Sequence, residues 1–498
     1  MNTETASARA AFRFDNSFAR DMAGFYARTD PAPVDAPRMI RFNRPLAVEL
    51  GIDPDALDSP SGAEILAGSA LAEGSTPIAL AYAGHQFGGF SPQLGDGRAI
   101  LLGEIIDASG DRRDIQLKGS GRTPFSRRGD GRAALGPVLR EYIVSEAMFA
   151  LGIPTTRSLA AVATGEGVRR ETILPGAVLT RIAASHIRIG TFQFFAARGE
   201  TDKVRRLADH AIARHYPELI GAANPYFALF AAVLERQAAL VARWMQVGFI
   251  HGVMNTDNCA ISGETIDYGP CAFMNAYDRS TVYSSIDRNG RYAYGNQPPI
   301  IQWNLARFAE TLLPLIDAAR ERAVGQMTTA LEQFPERYAA HWLAGMRAKL
   351  GLSTAEDGDA DLANALLAAM RDGRADFTLT FRRLGPAARD ESAFAEVRAL
   401  FGFPQGFDDW SIRWRERLAR ERRDPAERAD TMDAVNPAYI PRNHLVEEAL
   451  AAAHDGDMAP FDALHAVVLR PFEEKPGWGR YALPPDDADE GYQTFCGT

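Results

Sequence analysis

The stretch His251-Gly-Val-Met-Asn-Thr-Asp-Asn258, followed by the triplet Asp267-Tyr-Gly269, says most about the fold of this chain. Asn258 offers an amide oxygen and Asp267 a carboxylate, and both are hard ligands that suit Mg²⁺ or Mn²⁺. Short strands at residues 259–261 and 265–267, joined by a tight turn, would bring these two side chains to one end of a cleft. The sequence therefore predicts a divalent-metal site formed by Asn258 and Asp267.

The spacing within this stretch is that of a phosphotransferase catalytic loop. Protein kinases carry a His and an Asn at this separation, with a catalytic Asp two residues after the His and an Asp-x-Gly triplet downstream. Here Val253 stands at the position of that Asp, and a valine cannot accept a proton. A carboxylate does stand nearby, at Asp257. Either the catalytic base has moved or the kinase chemistry is lost.

A lysine and a glutamate precede this loop in the order that kinases use. Residues 99–104 and 114–118 read as strands around a turn at 107–112, and Pro137 opens a helix that Gly152 ends. Lys118 closes the second strand and Glu141 follows 23 positions later on the helix. This order predicts an ion pair that holds the lysine toward ATP phosphates. Glu146, on the same helix, is the competing partner for Lys118.

Glycines and cations around these strands favour a phosphate site, because glycine lets the backbone approach a ligand and arginine and lysine supply charge. The motif Gly95-Asp-Gly-Arg-Ala99 recurs as Gly129-Asp-Gly-Arg-Ala133. Neither a GxxxxGK[ST] loop nor an intact GxGxxG after a strand is present, which argues against P-loop and dinucleotide-binding proteins. Arg181 and Arg188 could grip terminal phosphates. The remaining residues of this set are Gly88, Gly89, Gly119, Gly121, Arg122, Arg127, Arg128 and Arg132.

Composition narrows the class of protein. The chain has 498 residues, 46% of them hydrophobic, and a net charge of −10 from 54 basic and 64 acidic residues. This balance argues against nucleic-acid binding. Three cysteines are too few for a disulfide scaffold and suit a reducing compartment. No run of about 18 apolar residues and no signal peptide is evident, so we expect no membrane association and a cytoplasmic location.

The motif-bearing stretches resemble the selenoprotein O family of kinase-fold proteins. They are YAGHQFGGFSPQLGDGRAILLGE (82–104), DIQLKGSGRTPFSRRGDGRAALGPVLREYIVSEAM (114–148), HGVMNTDN (251–258), IDYGP (266–270) and NPAYIPRNHL (436–445). Together they span most of the chain in order, and they are long and unusual.

The resemblance implies an activity that the motifs alone do not. Members of the family bind ATP in a flipped orientation and transfer AMP to Ser, Thr or Tyr of target proteins, with Mg²⁺ or Mn²⁺ as cofactor. On the matching positions, Asp257 would be the base, and Asn258 and Asp267 would hold the metal. Lys118, positioned by Glu141, would contact the phosphates. The nucleotide pocket would be completed by Gly95, Gly97, Arg98, Asp130, Gly131, Arg181 and Arg188.

Cysteine usage differs from the family pattern. Some members have selenocysteine near the C-terminus, where this chain has Cys496, and many carry a cysteine where this chain reads Ser284-Ser285. A redox link between Cys496 and the catalytic part of the chain is therefore a hypothesis that rests on the position of Cys496 alone.

We predict an α+β, protein-kinase-like two-lobed fold with N-terminal and helical C-terminal extensions. The expected parts are an N-terminal extension (1–75), a β-rich nucleotide-binding lobe (76–185), a helical catalytic lobe (186–350) and a helical extension with an acidic tail (351–498). Within the last of these, residues 355–369 read as a mobile or helix-bounded linker.

The leading function is protein AMPylation by a monomer. Two alternatives remain at this point: a conventional kinase, against which Val253 counts, and an ATP-binding pseudoenzyme that regulates a partner. The retained pair Asn258 and Asp267 counts against the pseudoenzyme.

Overall fold

The computed structural model describes residues 3–486 and 492–494. Cys496, and with it the redox hypothesis, lies outside these residues, whereas Cys259 and Cys271 are buried free thiols. The described chain is a mixed α/β protein with an antiparallel sheet and many helices, in agreement with the predicted α+β class.

The strands are concentrated in the first 183 residues. Their bounds are β1 (Tyr26–Arg28), β2 (Arg38–Phe42), β3 (Ile78–Leu80), β4 (Gly84–Gln86), β5 (Gly89–Ser91), β6 (Ala99–Ile106), β7 (Arg112–Lys118), β8 (Ala133–Ala134), β9 (Arg157–Arg169), β10 (Ile173–Ala183), β11 (Phe249–Ile250) and β12 (Ala272–Phe273).

The helices dominate the rest of the chain. Their bounds are α1 (Thr3–Arg9), α2 (Ser17–Asp21), α3 (Arg44–Glu49), α4 (Pro54–Leu57), α5 (Pro60–Ala67), α6 (Leu135–Ala150), α7 (Ile189–Ala196), α8 (Thr201–His215), α9 (Pro225–Val247), α10 (Gln297–Ile316), α11 (Arg320–Glu332), α12 (Phe334–Lys349), α13 (Asp359–Gly373), α14 (Phe377–Arg389), α15 (Phe394–Arg398), α16 (Gln405–Leu418), α17 (Pro425–Asp433), α18 (Asn443–His454), α19 (Ala459–Val468) and α20 (Gly479–Ala482).

The main sheet has the order β1-β3-β6-β7-β10-β9-β2, with β8 paired to β10. Both of its outermost strands, β1 and β2, come from the first 42 residues of the chain. The helices α3 and α5 contribute Leu46, Ile65 and Leu66 to a core against one face of the sheet. The residues before the predicted β-rich region thus build two sheet edges and the cover of one face.

Alternation along β7 decides which side chains face the cleft. Ile115 and Leu117 belong to the core beneath α3 and α5, so Gln116 and Lys118 point to the opposite face. On β10, Arg181 stands opposite Gln116 in the antiparallel register, and Leu179 stands opposite Lys118. Helix α6 packs on this second face against β9 and β10. The side chains of Gln116 and Lys118 therefore lie on the face of the sheet that α6 covers.

The predicted metal-binding loop is held together by a strand pair different from the one expected. Residues 259–261 and 265–267 do not pair with each other: Ala260 forms an antiparallel bridge with Arg188, and Thr265 forms a parallel bridge with Thr155. The prediction of a hairpin there was wrong, although Gly263 does occupy a turn with φ +82°. The pairing of β11 with β12 lies outside the motif and brings its two ends together.

One other reading of the sequence needs correction. Residues 355–369 are not a linker, since α13 covers most of them and buries Leu362, Leu366 and Met370 in a core with α14 and α16. Among the described residues, α9 is the one helix whose length and composition would allow it to cross a bilayer, and half of its most apolar window is buried inside the protein. Its buried side chains Leu229, Phe230 and Val233 pack in the largest core.

Candidate active site

A cavity of about 630 Å³ lies between the sheet and the loop that carries residues 251–269. Its cationic side chains outnumber its carboxylates, which favours an anionic ligand. The cations are Arg98, Lys118, Arg127, Arg128, Arg132, Arg170, Arg181 and Arg188, and the carboxylates are Asp96, Asp130, Asp257 and Asp267. Of the twelve residues to which the resemblance gave site roles, all but Glu141 line this cavity, including Gly95, Gly97, Gly131 and Asn258. Five further members of the glycine and cation set do not line it: Gly88, Gly89, Gly119, Gly121 and Arg122.

Glu141 lies behind the cavity and holds its cations. Lys118 donates from Nζ to Glu141 Oε2 at 2.6 Å and to Asp267 Oδ1 at 2.7 Å. Arg181 donates from Nε to Glu141 Oε1 at 2.8 Å. Burial alone would raise the pKa of Glu141, but the charges of Arg181 and Lys118 hold it below its ordinary value. Glu141 is thus an ionised anchor for two cations of the cavity.

Glu146, the alternative partner for Lys118, binds other residues. Glu146 is as deeply buried, but it accepts hydrogen bonds from Arg157, from Asn43 Nδ2 and from the amide of Ser158. These contacts join α6 to β9 and to the segment before α3. The geometry therefore pairs Lys118 with Glu141 and leaves Glu146 to connect structural elements.

Asp267 is held in an uncommon backbone conformation. Its φ of +69° lies in the left-handed region, where non-glycine residues are strained. Burial would raise the pKa of its carboxyl, but Lys118 and Arg181 outweigh burial and hold that pKa far below its ordinary value. Among the described residues, the hydrogen bonds and ion pairs to its carboxylate end on Oδ1. Asp267 lines the cavity, and an ionised carboxylate whose Oδ2 takes no part in these contacts can bind a cation.

Asn258 can supply the second metal ligand. Its Nδ2 donates to the carbonyl of Val253 at 3.0 Å, which leaves the amide oxygen as the group to coordinate a cation. The described residues contain no cluster of three or more His, Cys, Asp or Glu that could hold a metal. Mg²⁺ fits two such protein ligands, because it commonly takes its remaining ligands from water and phosphate. Asn258 and Asp267 thus suit a metal that arrives with a nucleotide.

His251 fixes the loop instead of facing the cavity. Its Nε2 donates to the carbonyl of Ile266 at 3.0 Å and its ring packs on Trp244. Burial lowers the pKa of this imidazole, so it stays neutral. The hydrogen bond ties the loop to the residue before Asp267, which keeps the two predicted metal ligands on one wall.

Asp257 and Asp96 are both buried carboxylates of the cavity, and Asp257 is the one that lies in the loop beside Asn258. It lies in a 3₁₀ turn at Thr256–Asn258 and is 7% exposed. Burial raises the pKa of its carboxyl to about 6, against the opposing charge of Arg188. Arg188 donates from Nη1 to the main-chain carbonyl of Asp257 at 2.9 Å and stacks over the Tyr82 ring. A carboxylate with a raised pKa at a cation-lined cavity is suited to accept a proton.

Close backbone approach explains two of the glycines. A Cβ on Gly95, where φ is +77°, would lie 2.3 Å from the Phe125 ring, and one on Gly131, where φ is +72°, would lie 2.1 Å from the carbonyl oxygen of Gly121. The first Gly-Asp-Gly-Arg turn therefore packs against the connection between β7 and β8. The second turn is the end of that connection and packs against its beginning. Both turns form part of the cavity wall.

The structure also adds residues that the sequence did not reveal. Arg170 donates to Asp130 Oδ2 at 2.8 Å and lines the cavity, so the predicted residue Asp130 orients a cation. Asp96 accepts from Gln116 Nε2 at 3.2 Å and lies 3.8 Å from Arg188. Asp96 belongs to the first Gly-Asp-Gly-Arg motif, and that motif could have indicated it. No motif in the local sequence indicates Arg170.

A cavity with eight cations and a Lys–Glu–Asp network defines a class of protein that handles polyphosphate compounds. Comparison of sequences makes this specific. The profile of the family described as "Protein adenylyltransferase SelO" matches residues 9–469, and the chain belongs to that family.

Curated relatives agree over nearly the whole length. A Rhodopseudomonas palustris (strain BisB5) protein called "Protein nucleotidyltransferase YdiU" is 65% identical over 98% of this chain and 99% of its own. A protein of the same name from Cereibacter sphaeroides (strain KD131) is 65% identical over 98% of this chain and all of its own length. Another, from Bradyrhizobium diazoefficiens, is 64% identical over 98% of this chain and 99% of its own.

Proposed function

We propose that this chain is a metal-dependent protein adenylyltransferase, which transfers AMP from ATP to Ser, Thr or Tyr hydroxyls of proteins and releases diphosphate. The observation that carries the proposal is the placement of acid groups in the loop. Val253 replaces the catalytic aspartate of kinases, while the buried carboxylate of Asp257 reaches the cavity beside the pair Asn258 and Asp267. Membership of the family supports the same activity.

The chemical step follows from these positions. The acceptor hydroxyl oxygen bonds to the α-phosphorus, the bond from that phosphorus to the α,β-bridging oxygen breaks, and diphosphate leaves with the electron pair. Asp257 takes the hydroxyl proton. Asn258 and Asp267 would hold Mg²⁺ or Mn²⁺, whose charge neutralises the phosphate oxygens when it is bound. Lys118 and Arg181 are held in place by Glu141 and would bind phosphate oxygens from there.

We also propose how the chain is divided. Residues 76–185 and 186–350 are taken as the two lobes of a kinase-like core, with residues 1–75 and 351–498 as extensions. The alternation that points Gln116 and Lys118 inward, together with α6 carrying Glu141 beneath the sheet, supports this arrangement. The partners are protein acceptors.

Transfer of label from ATP that carries it at either the α- or the γ-phosphate tests whether the protein transfers AMP. The purified protein is incubated with Mg²⁺ or Mn²⁺, heat-treated bacterial lysate and ATP labelled at either the α- or the γ-phosphate. We expect α-label on protein with the mass increment of AMP, and none with the Asp267→Asn variant. Transfer of γ-label alone would make the protein a kinase. Binding of ATP without transfer of either label would favour a pseudoenzyme.

A further inference from the structure

The hairpin β4–β5 is attached to the loop that carries Asp257. The amide of His85 donates to Thr256 Oγ1 at 2.7 Å, and the amide of Phe87 donates to Asn255 Oδ1 at 3.2 Å. Between them, Gln86 donates from Nε2 to Asp257 Oδ2 at 3.3 Å. Three consecutive residues of the hairpin thus contact three consecutive residues of the loop.

Glycine backbones enclose the Asp257 carboxylate. A Cβ on Gly84 would lie 2.3 Å from Asp257 Oδ1 and 2.8 Å from its carboxyl carbon. From the other side, a Cβ on Gly190 would lie 3.3 Å from the Asp257 Cα and 2.1 Å from the carbonyl oxygen of Ala83. Since real Cβ atoms do not approach this closely, any side chain at Gly84 must displace the carboxylate or the hairpin.

The two carboxylate oxygens of Asp257 therefore differ. Oδ1 is enclosed against Gly84 and has no hydrogen-bond partner among the described residues. Oδ2 accepts from Gln86 and, having further lone pairs, can accept a second hydrogen bond. The enclosure of Oδ1 leaves Oδ2 as the oxygen that an acceptor hydroxyl can reach.

We propose that Gln86 and Gly84 are positioning residues of the active site, which fix the rotation of the Asp257 carboxylate so that Oδ2 receives the acceptor proton. This inference rests on the proposed function. Gly84 admits the carboxylate by lacking a side chain, and Gln86 sets the direction in which Oδ2 presents its remaining lone pair. Neither residue needs to touch ATP, so both act on transfer and leave nucleotide binding alone.

The hairpin offers a matched pair of substitutions. Gly84 and Gly89 both have ordinary φ angles, but a Cβ on Gly89 would lie 3.5 Å from the nearest atom outside its chain neighbours, the carbonyl oxygen of Gln86. We expect Gly84→Ala to lower the rate of AMP transfer at saturating ATP by about 10²-fold, the loss typical of a misplacement of about 1 Å. The sequence grouped Gly89 with the glycines of a phosphate site, but the structure does not place it in the cavity wall, so Gly89→Ala should transfer at the wild-type rate. The affinity for ATP should stay within twofold in both variants.

Gln86→Leu tests the hydrogen bond and decides the question if Gly84→Ala does not fold. We expect at least a tenfold lower transfer rate, with unchanged ATP affinity and melting temperature. In a double-mutant cycle with Asp257→Asn, neither change should lower the residual rate by more than twofold, because both act through Asp257.

Wild-type transfer by Gly84→Ala and Gln86→Leu would overturn the inference, and so would an equal loss in the Asp257→Asn background. The proposed function fails in a different way. If Asp257→Asn itself transfers at the wild-type rate, Asp257 is not the base, whatever the hairpin variants do.

Discussion

Lys118 Nζ lies between the carboxylates of Glu141 and Asp267, 2.6 Å from the first and 2.7 Å from the second. One carboxylate is on α6 and the other follows the catalytic loop, so this lysine connects the sheet to both. A phosphate that enters the cavity would compete with Asp267 for the lysine, whereas Glu141 would continue to hold it from behind.

Substitution of the two buried glutamates of α6 should distinguish an effect on nucleotide binding from an effect on stability. Glu141→Gln and Glu146→Gln each break a buried ion pair, so we expect each to lower the free energy of unfolding by about 3 kcal/mol. Only Glu141→Gln should raise the KM for ATP, because Glu146 contacts neither Lys118 nor Arg181. Denaturant titrations and steady-state kinetics of both variants check this. An equal rise in KM for Glu146→Gln would contradict the assignment.

Asp267→Asn should remove the dependence of nucleotide binding on the metal. The amide lacks the charge that attracts a divalent cation, so ATP should bind equally well with and without Mg²⁺. Calorimetric titrations of wild type and variant in both conditions measure this. Asp130→Asn is the matched control, since it lines the same cavity but pairs with Arg170, and it should keep the metal dependence.

Transfer should rise with pH as Asp257 ionises. A general base works only when deprotonated, and burial raises the pKa of this carboxyl to about 6. A bound metal cation favours the ionised form, so the midpoint of the rate profile should lie at or below about pH 6. Below it the rate should fall tenfold per pH unit. The residual activity of Asp257→Asn should lack this limb; if the limb persists, another group is titrating.

Arg188→Met should move the same midpoint upward. Arg188 is buried beside Asp257 and its charge lowers the pKa of that carboxyl. Removing the charge makes ionisation harder, so at pH 6 the variant should lose more activity relative to wild type than at pH 8. Rate profiles over pH 5 to 8 at saturating ATP check this. A profile with an unmoved midpoint would show that Arg188 acts only on the phosphates.

Chain order and local spacing were enough to predict most of the residues that the structure brings together at the cavity. The order of Lys118, Glu141, Asn258 and Asp267 along the chain can be read without knowing the fold. Of these four residues, Lys118, Asn258 and Asp267 line the cavity. The choice between Glu141 and Glu146 could not be made from the helix alone. It depends on which turn of α6 lies under β7, and that is set by the packing of α6 on β9 and β10.

The errors arose where the partner of a segment is distant in sequence. Residues 259–261 look like half of a hairpin, yet Ala260 is bonded to the segment before α7 and Thr265 to the segment before β9. The sequence did not reveal Arg170 for the same reason. It lies in the turn between β9 and β10, and only the pairing of β10 with β8 brings it to Asp130.

The outermost strands of the sheet both lie within the first 42 residues, whereas their neighbours β3 and β9 begin at Ile78 and Arg157. During synthesis these two strands leave the ribosome first and must wait unpaired for partners made much later. A chain shortened to begin near residue 76 would have β3 and β9 as bare edges with open hydrogen-bonding groups. Such a fragment would tend to aggregate even though it keeps every residue of the cavity.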